Sequence, residues 1–298
     1  MDNVVFAGRT TSRIGLGCGR LVGGASGASS RKIVEQALAL GITHFDVAPS
    51  YGLGTAEDVL GDVLSGVSNV TVTTKVGIGR PSNPGLRALA RQTLRPLLSL
   101  TPRLKANISR AGQAGQERGL FAPEQMRASL EESLRRLRRE RVDAVLLHQP
   151  ELSALTDATV STLEAMILEG RAGAVGSSTG GKRAALTAAG TVAQYRWSPG
   201  EGDQPTSGDR VLHGVLRGRS MPSAASELLR SLGRDPTDPA AWPGALLTHA
   251  LATSTGAIIL VSSTSPERLA DAVGAVDWGS VRVLDGDTAN AFQALLAD

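Results

Sequence analysis

The fold class that this sequence predicts is α/β, an eight-stranded parallel (β/α)8 or TIM barrel, and three observations predict it. Two β-like runs, 42 to 47 and 70 to 76, flank a helical pattern from Glu57 to Leu64 and make one β–α–β unit with parallel strands. The apolar runs stop on polar residues: Asp46, Lys75 and, after Val142-Asp-Ala-Val-Leu-Leu, His148, with Tyr51 in the loop after the second strand. In such a barrel the carboxyl ends of neighbouring strands converge on one face where chemistry is built, so these four side chains are expected to share a pocket. The third observation is length: 298 residues and 30.8 kDa suit one barrel domain, about 250 residues being typical, with an insertion.

Val4 to Ile14 alternates loosely around Gly8-Arg-Thr-Thr, which predicts a hairpin over the amino-terminal mouth of the barrel. Ile14-Gly-Leu-Gly-Cys18 is the first strand, and the glycine-rich stretch after it is a flexible first βα loop. It lacks both a phosphate-loop ending and a complete G-x-G-x-x-G in a βαβ setting. Ser30 is expected to cap a helix with Ile33, Ala37 and Leu38 on its apolar face, leading into the second strand.

Residues 77 to 122, following the third strand, break the alternation. Four prolines, a helix expected over 86 to 95, and eight basic residues against one acidic mark an insertion, read as a lid on the active-site face. Its arginines favour a substrate bearing a carboxylate, a phosphate or many hydroxyls; a solvated arginine-rich flap is the plainer reading of the same charges.

Pro123 opens a helix whose strip Met126, Leu130, Leu134 and Leu137 should face the barrel. Arg135, Arg136, Arg138 and Arg139 suit the negative end of its dipole. The fourth strand delivers His148, a helix near 156 to 169 ends at Gly170, and Ala172-Gly-Ala-Val-Gly176 is the fifth strand. Val192 to Pro199 holds the next strand, 200 to 208 leaves almost no room for a helix, and Val211 to Leu216 is the seventh. An irregular stretch, 214 to 241, precedes a helix near 242 to 254, and Ala257-Ile-Ile-Leu-Val261 is the eighth strand.

The four strand-end residues define a chemistry. A phenol has a pKa of about 10, too high for an efficient proton donor at neutral pH unless a cation favours the phenolate. Lys75 can supply that cation, Asp46 can hold it charged despite burial, and His148 can hydrogen-bond a carbonyl oxygen. The set suits protonating an oxygen as hydride reaches the adjacent carbon. Because no side chain donates hydride, a nicotinamide cofactor is implied. The composition sets Lys75 apart, since the chain has four lysines against 27 arginines, and only two tyrosines, Tyr51 and Tyr195. Lysine and arginine are not interchangeable beside a titrating phenol.

His44-Phe-Asp-Val-Ala-Pro-Ser-Tyr-Gly, Thr74-Lys-Val-Gly77 and Leu146-Leu-His148 resemble the hallmark segments of the aldo-keto reductases, and the resemblance runs from about residue 13 to 275. It implies a barrel using NADPH, with NADH less favoured, and a tetrad of Asp46, Tyr51, Lys75 and His148 in which Tyr51 is the general acid. The phrase from Ala48 to Glu57 is most similar to bacterial members acting on sugars and pyridoxal-like aldehydes.

Further roles follow from the same resemblance. Ser178 matches a serine against the nicotinamide amide, Thr179 stands where the family carries Asn, and Gln194 matches a glutamine gripping that amide. His213 lies where the family often stacks a tyrosine on the nicotinamide ring, although a histidine there can equally serve backbone carbonyls. The segment Ser262, Ser263 to Arg268 matches the binder of the adenosine 2′-phosphate, with a helix amino terminus and a charged fork to hold it. Ser262 replaces a common Lys, and Ala272 a common adenine-binding Asn.

Other classes are disfavoured. Cys18 is alone, and the four histidines, at 44, 148, 213 and 249, lack metal-ligand spacing, so no metal is expected. A pI near 9.4 accompanies a net charge of only +3 and 3% aromatics, a poor basis for nucleic-acid binding. No run of 18 apolar residues offers a membrane span, and the start lacks a signal pattern, so a cytoplasmic location is expected; the strand-end chemistry and the resemblance imply a small-molecule carbonyl or sugar partner. Two rivals stand beside the oxidoreductase: an aldolase using Lys75 as a Schiff-base nucleophile, and a cofactor-binding regulatory or scaffold barrel without turnover.

Overall fold

In a computed structural model, which describes residues 1–24, 27–81, 117–180, 189–199, 208–283 and 286–296, the hairpin β1 (Asn3–Phe6) and β2 (Arg9–Ser12) closes one end of a barrel. Its antiparallel register pairs Asn3 with Ser12 and Phe6 with Arg9. The turn between them puts Ala7 and Gly8 at φ 49° and 76°, the left-handed pair that matches the twist of a two-residue hairpin. Phe6 is buried edge-on against His44, with ring centroids 4.8 Å apart. Arg9 reaches Asp143 Oδ1 at 2.9 Å and the Val70 carbonyl, while the Ala7 amide donates to Asp209 Oδ2. These contacts tie the plug to three barrel strands. They leave the opposite, carboxyl-terminal mouth for a site.

The eight strands are β3 (Ile14–Gly17), β4 (His44–Asp46), β5 (Thr71–Val76), β6 (Val142–His148), β7 (Ala172–Ser178), β8 (Val192–Arg196), β9 (Asp209–His213) and β10 (Ile258–Val261). All neighbours are parallel, and β10 pairs with both β3 and β9, so the sheet closes on itself. Every residue of β4, β5 and β6 is buried, as expected of strands covered on both faces. The register aligns His148 with Ser178 and Ser178 with Gln194, which brings the predicted strand-end residues to one rim. At the other end, Thr71 Oγ1 bonds His44 Nδ1 at 2.9 Å and Thr11 Oγ1 at 2.8 Å, satisfying polar atoms inside the barrel.

The helices among the described residues are α1 (Gly27–Ala39), α2 (Ala56–Val63), α3 (Pro123–Leu137), α4 (Asp157–Leu168), α5 (Ala225–Ser231), α6 (Ala241–Thr253), α7 (Pro266–Gly274), α8 (Trp278–Arg282) and α9 (Gly286–Leu296). The strip on α3 is buried as its spacing predicts, with Pro123 in the first turn. Thr156 and Ser265 cap α4 and α7 through their hydroxyls.

Four expectations need correction. Ser30 is not a cap: α1 begins at Gly27, and the buried Ser30 hydroxyl instead holds both backbone groups of Val22, closing the first βα loop. The stretch before α6 is not wholly irregular, since α5 forms there with Ala225 and Leu229 buried. The seventh strand stops at His213, and Gly214 at φ 83° turns the chain out of it. The arginines ending α3 find carboxylates and a carbonyl: Arg136 bonds Asp58 and Glu132, Arg138 bonds Asp62, and Arg139 reaches the Val67 carbonyl. Ion pairing across to α2 therefore fixes Arg136 and Arg138, a contact the helix dipole alone does not account for.

The insertion's two ends meet: Ile78 bridges Arg118, the Gly79 amide donates to the Glu117 carbonyl, and Phe121 packs where a side chain at Gly77 would stand. The expected helix over 86 to 95 and the body of the lid lie outside the described residues, as does the 200 to 207 loop.

Candidate active site

At the rim, the Lys75 ammonium is wholly buried and donates to Asp46 Oδ1 at 2.8 Å, Asp46 Oδ2 at 2.7 Å and the Val47 carbonyl at 3.0 Å. Burial pulls the ammonium's pKa down, but the Asp46 carboxylate beside it prevails and leaves Lys75 above its ordinary value. A lysine kept charged by an adjacent carboxylate has no lone pair for a carbonyl carbon, which argues against the Schiff-base rival.

Tyr51 follows β4 in a tight turn, Tyr51–Gly54, where Gly52, Leu53 and Gly54 take φ of 57°, 61° and 88°. Three successive left-handed residues turn the backbone sharply between Tyr51 and the start of α2. Leu53 adopts that conformation despite its side chain, a strain of the sort that collects at functional sites. Thr55 steadies the turn, its hydroxyl donating to the Gly52 carbonyl and accepting from the Gly23 amide. The phenol ring lies with its centroid 4.8 Å from Lys75 Nζ and 5.8 Å from the His148 ring, which meets it edge-on.

The expected lowering of the Tyr51 pKa is not found. Burial raises it, Lys75 opposes that rise, and the net direction is upward. The phenol therefore holds its proton at neutral pH, as a general acid must before it donates. His148 is pushed down to about 3 by burial first, then by the Lys75 and Arg118 charges, so it is a neutral imidazole. Its Nδ1 is buried and has no partner among the described residues.

The predicted cofactor residues occupy the same mouth. Ser178 ends β7 and is buried; the Thr179 amide donates to the Gln194 carbonyl at 2.8 Å. Gln194 Nε2 donates to Asp46 Oδ2 at 2.8 Å, while Gln194 Oε1 is buried without a partner among the described residues. An unspent acceptor beside a serine hydroxyl fits an incoming carboxamide. His213 ends β9, half-buried, with its pKa lowered chiefly by burial. Ser262 bonds the Gly17 carbonyl, Ser263 closes a turn with Ser265, and the Arg268 side chain bonds Thr264 Oγ1 in the first turn of α7. Ala272 is buried in that helix and offers nothing polar.

Sequence reasoning missed several neighbours. Glu57 is 1% exposed and accepts from Thr74 Oγ1 at 2.8 Å and from Arg80, which also reaches Ser133. This buried pair ties the helix after Tyr51 to the strand carrying Lys75. Glu57 stood inside the motif, and a carboxylate on the buried side of α2 was the available signal. Cys18, also buried, has its thiol pKa pushed up by burial and then by Asp46. Arg118 and Gln149 had no local signal. Among the described residues no three His, Cys, Asp or Glu side chains form a metal-holding group, and no helix is long and apolar enough to cross a membrane.

Comparison with known proteins adds to the geometry. The model of the aldo/keto reductase family matches residues 13–189. The 6-dehydroglucose reductase of Agrobacterium fabrum is 30% identical over 149 residues, spanning 49% of this chain and 41% of that protein. The D-threo-aldose 1-dehydrogenase of a Pseudomonas species is 31% identical over 136 residues, 45% of this chain and 38% of that protein. The matched part is thus under half the length of either relative. Solved structures agree in fold: the glycerol dehydrogenase of Gluconobacter oxydans superposes with a TM-score of 0.69 at 19% identity, covering 99% of this chain and 95% of that one. An aldo-keto reductase of Klebsiella pneumoniae, solved with NADPH, gives 0.68 at 20% identity, covering 99% and 96%. With a family match over more than half its length and strand-end motifs gathered at one barrel mouth, this chain belongs to the aldo/keto reductase family.

Proposed function

We propose that the protein is an NADP(H)-dependent oxidoreductase that interconverts an aldehyde, ketone or sugar lactol with its alcohol or lactone. The observation that carries this reading is the buried Asp46–Lys75 pair with the protonated Tyr51 and neutral His148 packed beside it. The 6-dehydroglucose reductase and the D-threo-aldose 1-dehydrogenase act, by name, on sugars, which supports a polar carbonyl substrate.

A bound nicotinamide supplies the hydride that no side chain can. Gln194 Oε1 and the Ser178 hydroxyl would hold its carboxamide, His213 would line the ring, and Ser262, Ser263 and Arg268 would meet the adenosine phosphate. His148 orients the substrate carbonyl oxygen by a hydrogen bond from its neutral ring. Tyr51 Oη gives its proton to that oxygen as negative charge gathers there, and the Lys75 ammonium, held by Asp46, stabilises the phenolate left behind. In the oxidative direction Tyr51 takes the proton back. A positioned acid of this kind contributes about 10²–10⁴-fold.

Following NADPH absorbance against a panel of aldehydes, ketones and sugars tests the proposal, and consumption with at least one member is expected. Arg268→Ala should weaken NADP(H) by about 10–100-fold while sparing NAD(H), as loss of a charge-assisted phosphate contact requires. Cofactor binding with no turnover across the panel would favour the scaffold reading instead.

A further inference from the structure

Gln149 directly follows His148 and holds a left-handed backbone, φ 53°, a conformation unfavourable to any side chain. Its amide donates to the Ser178 carbonyl at 2.8 Å, and its own carboxamide fills the space over Gly180, where an added Cβ would lie 2.4 Å from Nε2. From that braced position Gln149 Oε1 accepts from the Arg118 guanidinium at 2.8 Å. Arg118 is fixed from its other side by the bridge to Ile78 at the foot of the insertion. It remains exposed, and no carboxylate among the described residues lies within ion-pair distance of it, whereas Arg9, Arg80, Arg127, Arg136 and Arg138 each have one. A planar fork of donors is therefore held by a neutral amide, one residue from the imidazole that meets the carbonyl.

We infer that Arg118 selects carbonyl substrates carrying a carboxylate or phosphate at the end remote from the reacting carbon, with Gln149 as its positioning residue. The inference rests on the proposed reductase activity. A guanidinium recognises either anion by paired N–H donors. Its reach from His148 favours a substrate whose anion lies a few bonds beyond the carbonyl. The field of Arg118 at His148 also fits this proximity.

The test compares matched pairs on the full-length enzyme with NADPH: 4-carboxybenzaldehyde against methyl 4-formylbenzoate, and glyceraldehyde 3-phosphate against glyceraldehyde. At least one anionic member should show a KM about 10–100-fold below its neutral partner at similar kcat. Arg118→Gln should erase that preference, leave the neutral substrates within about twofold, and be partly rescued by Arg118→Lys; Gln149→Gly should blunt it too. Sodium chloride should raise the KM of the anionic member alone in the parent, a reading that needs no variant. Which pair discriminates distinguishes carboxylate from phosphate. Equal KM values within both pairs, or an equal loss for acid and neutral partner in Arg118→Gln, overturns the inference while the reductase reading stands. A parent that turns over neither pair nor any neutral carbonyl overturns both.

Discussion

Gln194 donates its side-chain amide to Asp46 Oδ2 at 2.8 Å, across the barrel mouth from β8 to β4. Because a carboxylate only accepts, this bond fixes the amide's orientation and leaves Gln194 Oε1 free to receive a donor. Asp46 thus holds the Lys75 ammonium with one set of contacts and the Gln194 amide, the proposed partner of the nicotinamide carboxamide, with another. The charge on Lys75 is what makes that buried carboxylate tolerable.

Lys75→Met should accordingly cost both activity and stability. Removing one partner of a buried ion pair leaves the Asp46 carboxylate, among the described residues, with only the Gln194 amide and typically costs about 3–5 kcal/mol. The double change Asp46→Asn with Lys75→Met removes the stranded charge and should recover part of that loss while staying inactive. Thermal melting of the two proteins checks this; equal melting temperatures would contradict it.

The pH dependence has a definite sign. The proposed mechanism requires Tyr51 protonated and His148 neutral, and with the phenol above its ordinary pKa and the imidazole near 3, it predicts kcat/KM flat from about pH 5 to 8. An inflection near 6.5 would place an ordinary histidine in the mechanism. Stability should behave differently. Unfolded imidazoles take up protons from about 6.5 downward, whereas buried His44 and His249 resist until about 4 and His148 until about 3. The unfolded chain therefore binds more protons as pH falls through that window, and the stability fully present above 6.5 is lost toward 4. Melting temperature against pH should show the decline, and His249→Phe should make it shallower.

The parts legible in the sequence were those with a local signal. Asp46, Lys75 and His148 end apolar runs, and the αβ alternation gave their strands a common direction, so their meeting followed from the barrel. Tyr51 was placed by its motif. The Arg80–Glu57 and Arg118–Gln149 contacts join residues 23 and 31 positions apart with no periodicity linking them. The short helix α5 lies between Pro222 and Gly233, too brief for a helical repeat to stand out. The direction of the Tyr51 pKa was misjudged because motif chemistry contains the nearby cation but not the extent of desolvation that outweighs it.

Gly52 tests whether the turn holds the phenol. A Cβ there would lie 1.6 Å from the Leu21 carbonyl oxygen, on a backbone already at φ 57°. Gly52→Ala should destabilise by roughly 2–4 kcal/mol and reduce turnover beyond what the melting shift explains, since the turn must move and Tyr51 moves with it. Unchanged kcat would show that the turn merely packs.

The most direct measurement is single-turnover carbonyl reduction by Tyr51→Phe beside the parent, with NADPH affinity measured on both. The substitution removes one oxygen and keeps the ring beside Lys75, so the fold and the cofactor contacts proposed for Ser178, Gln194 and the Ser262 to Arg268 segment should persist. The rate should fall by about 10²–10⁴-fold with Kd for NADPH within about threefold of the parent. Reduction at the parent rate would contradict Tyr51 as the proton donor.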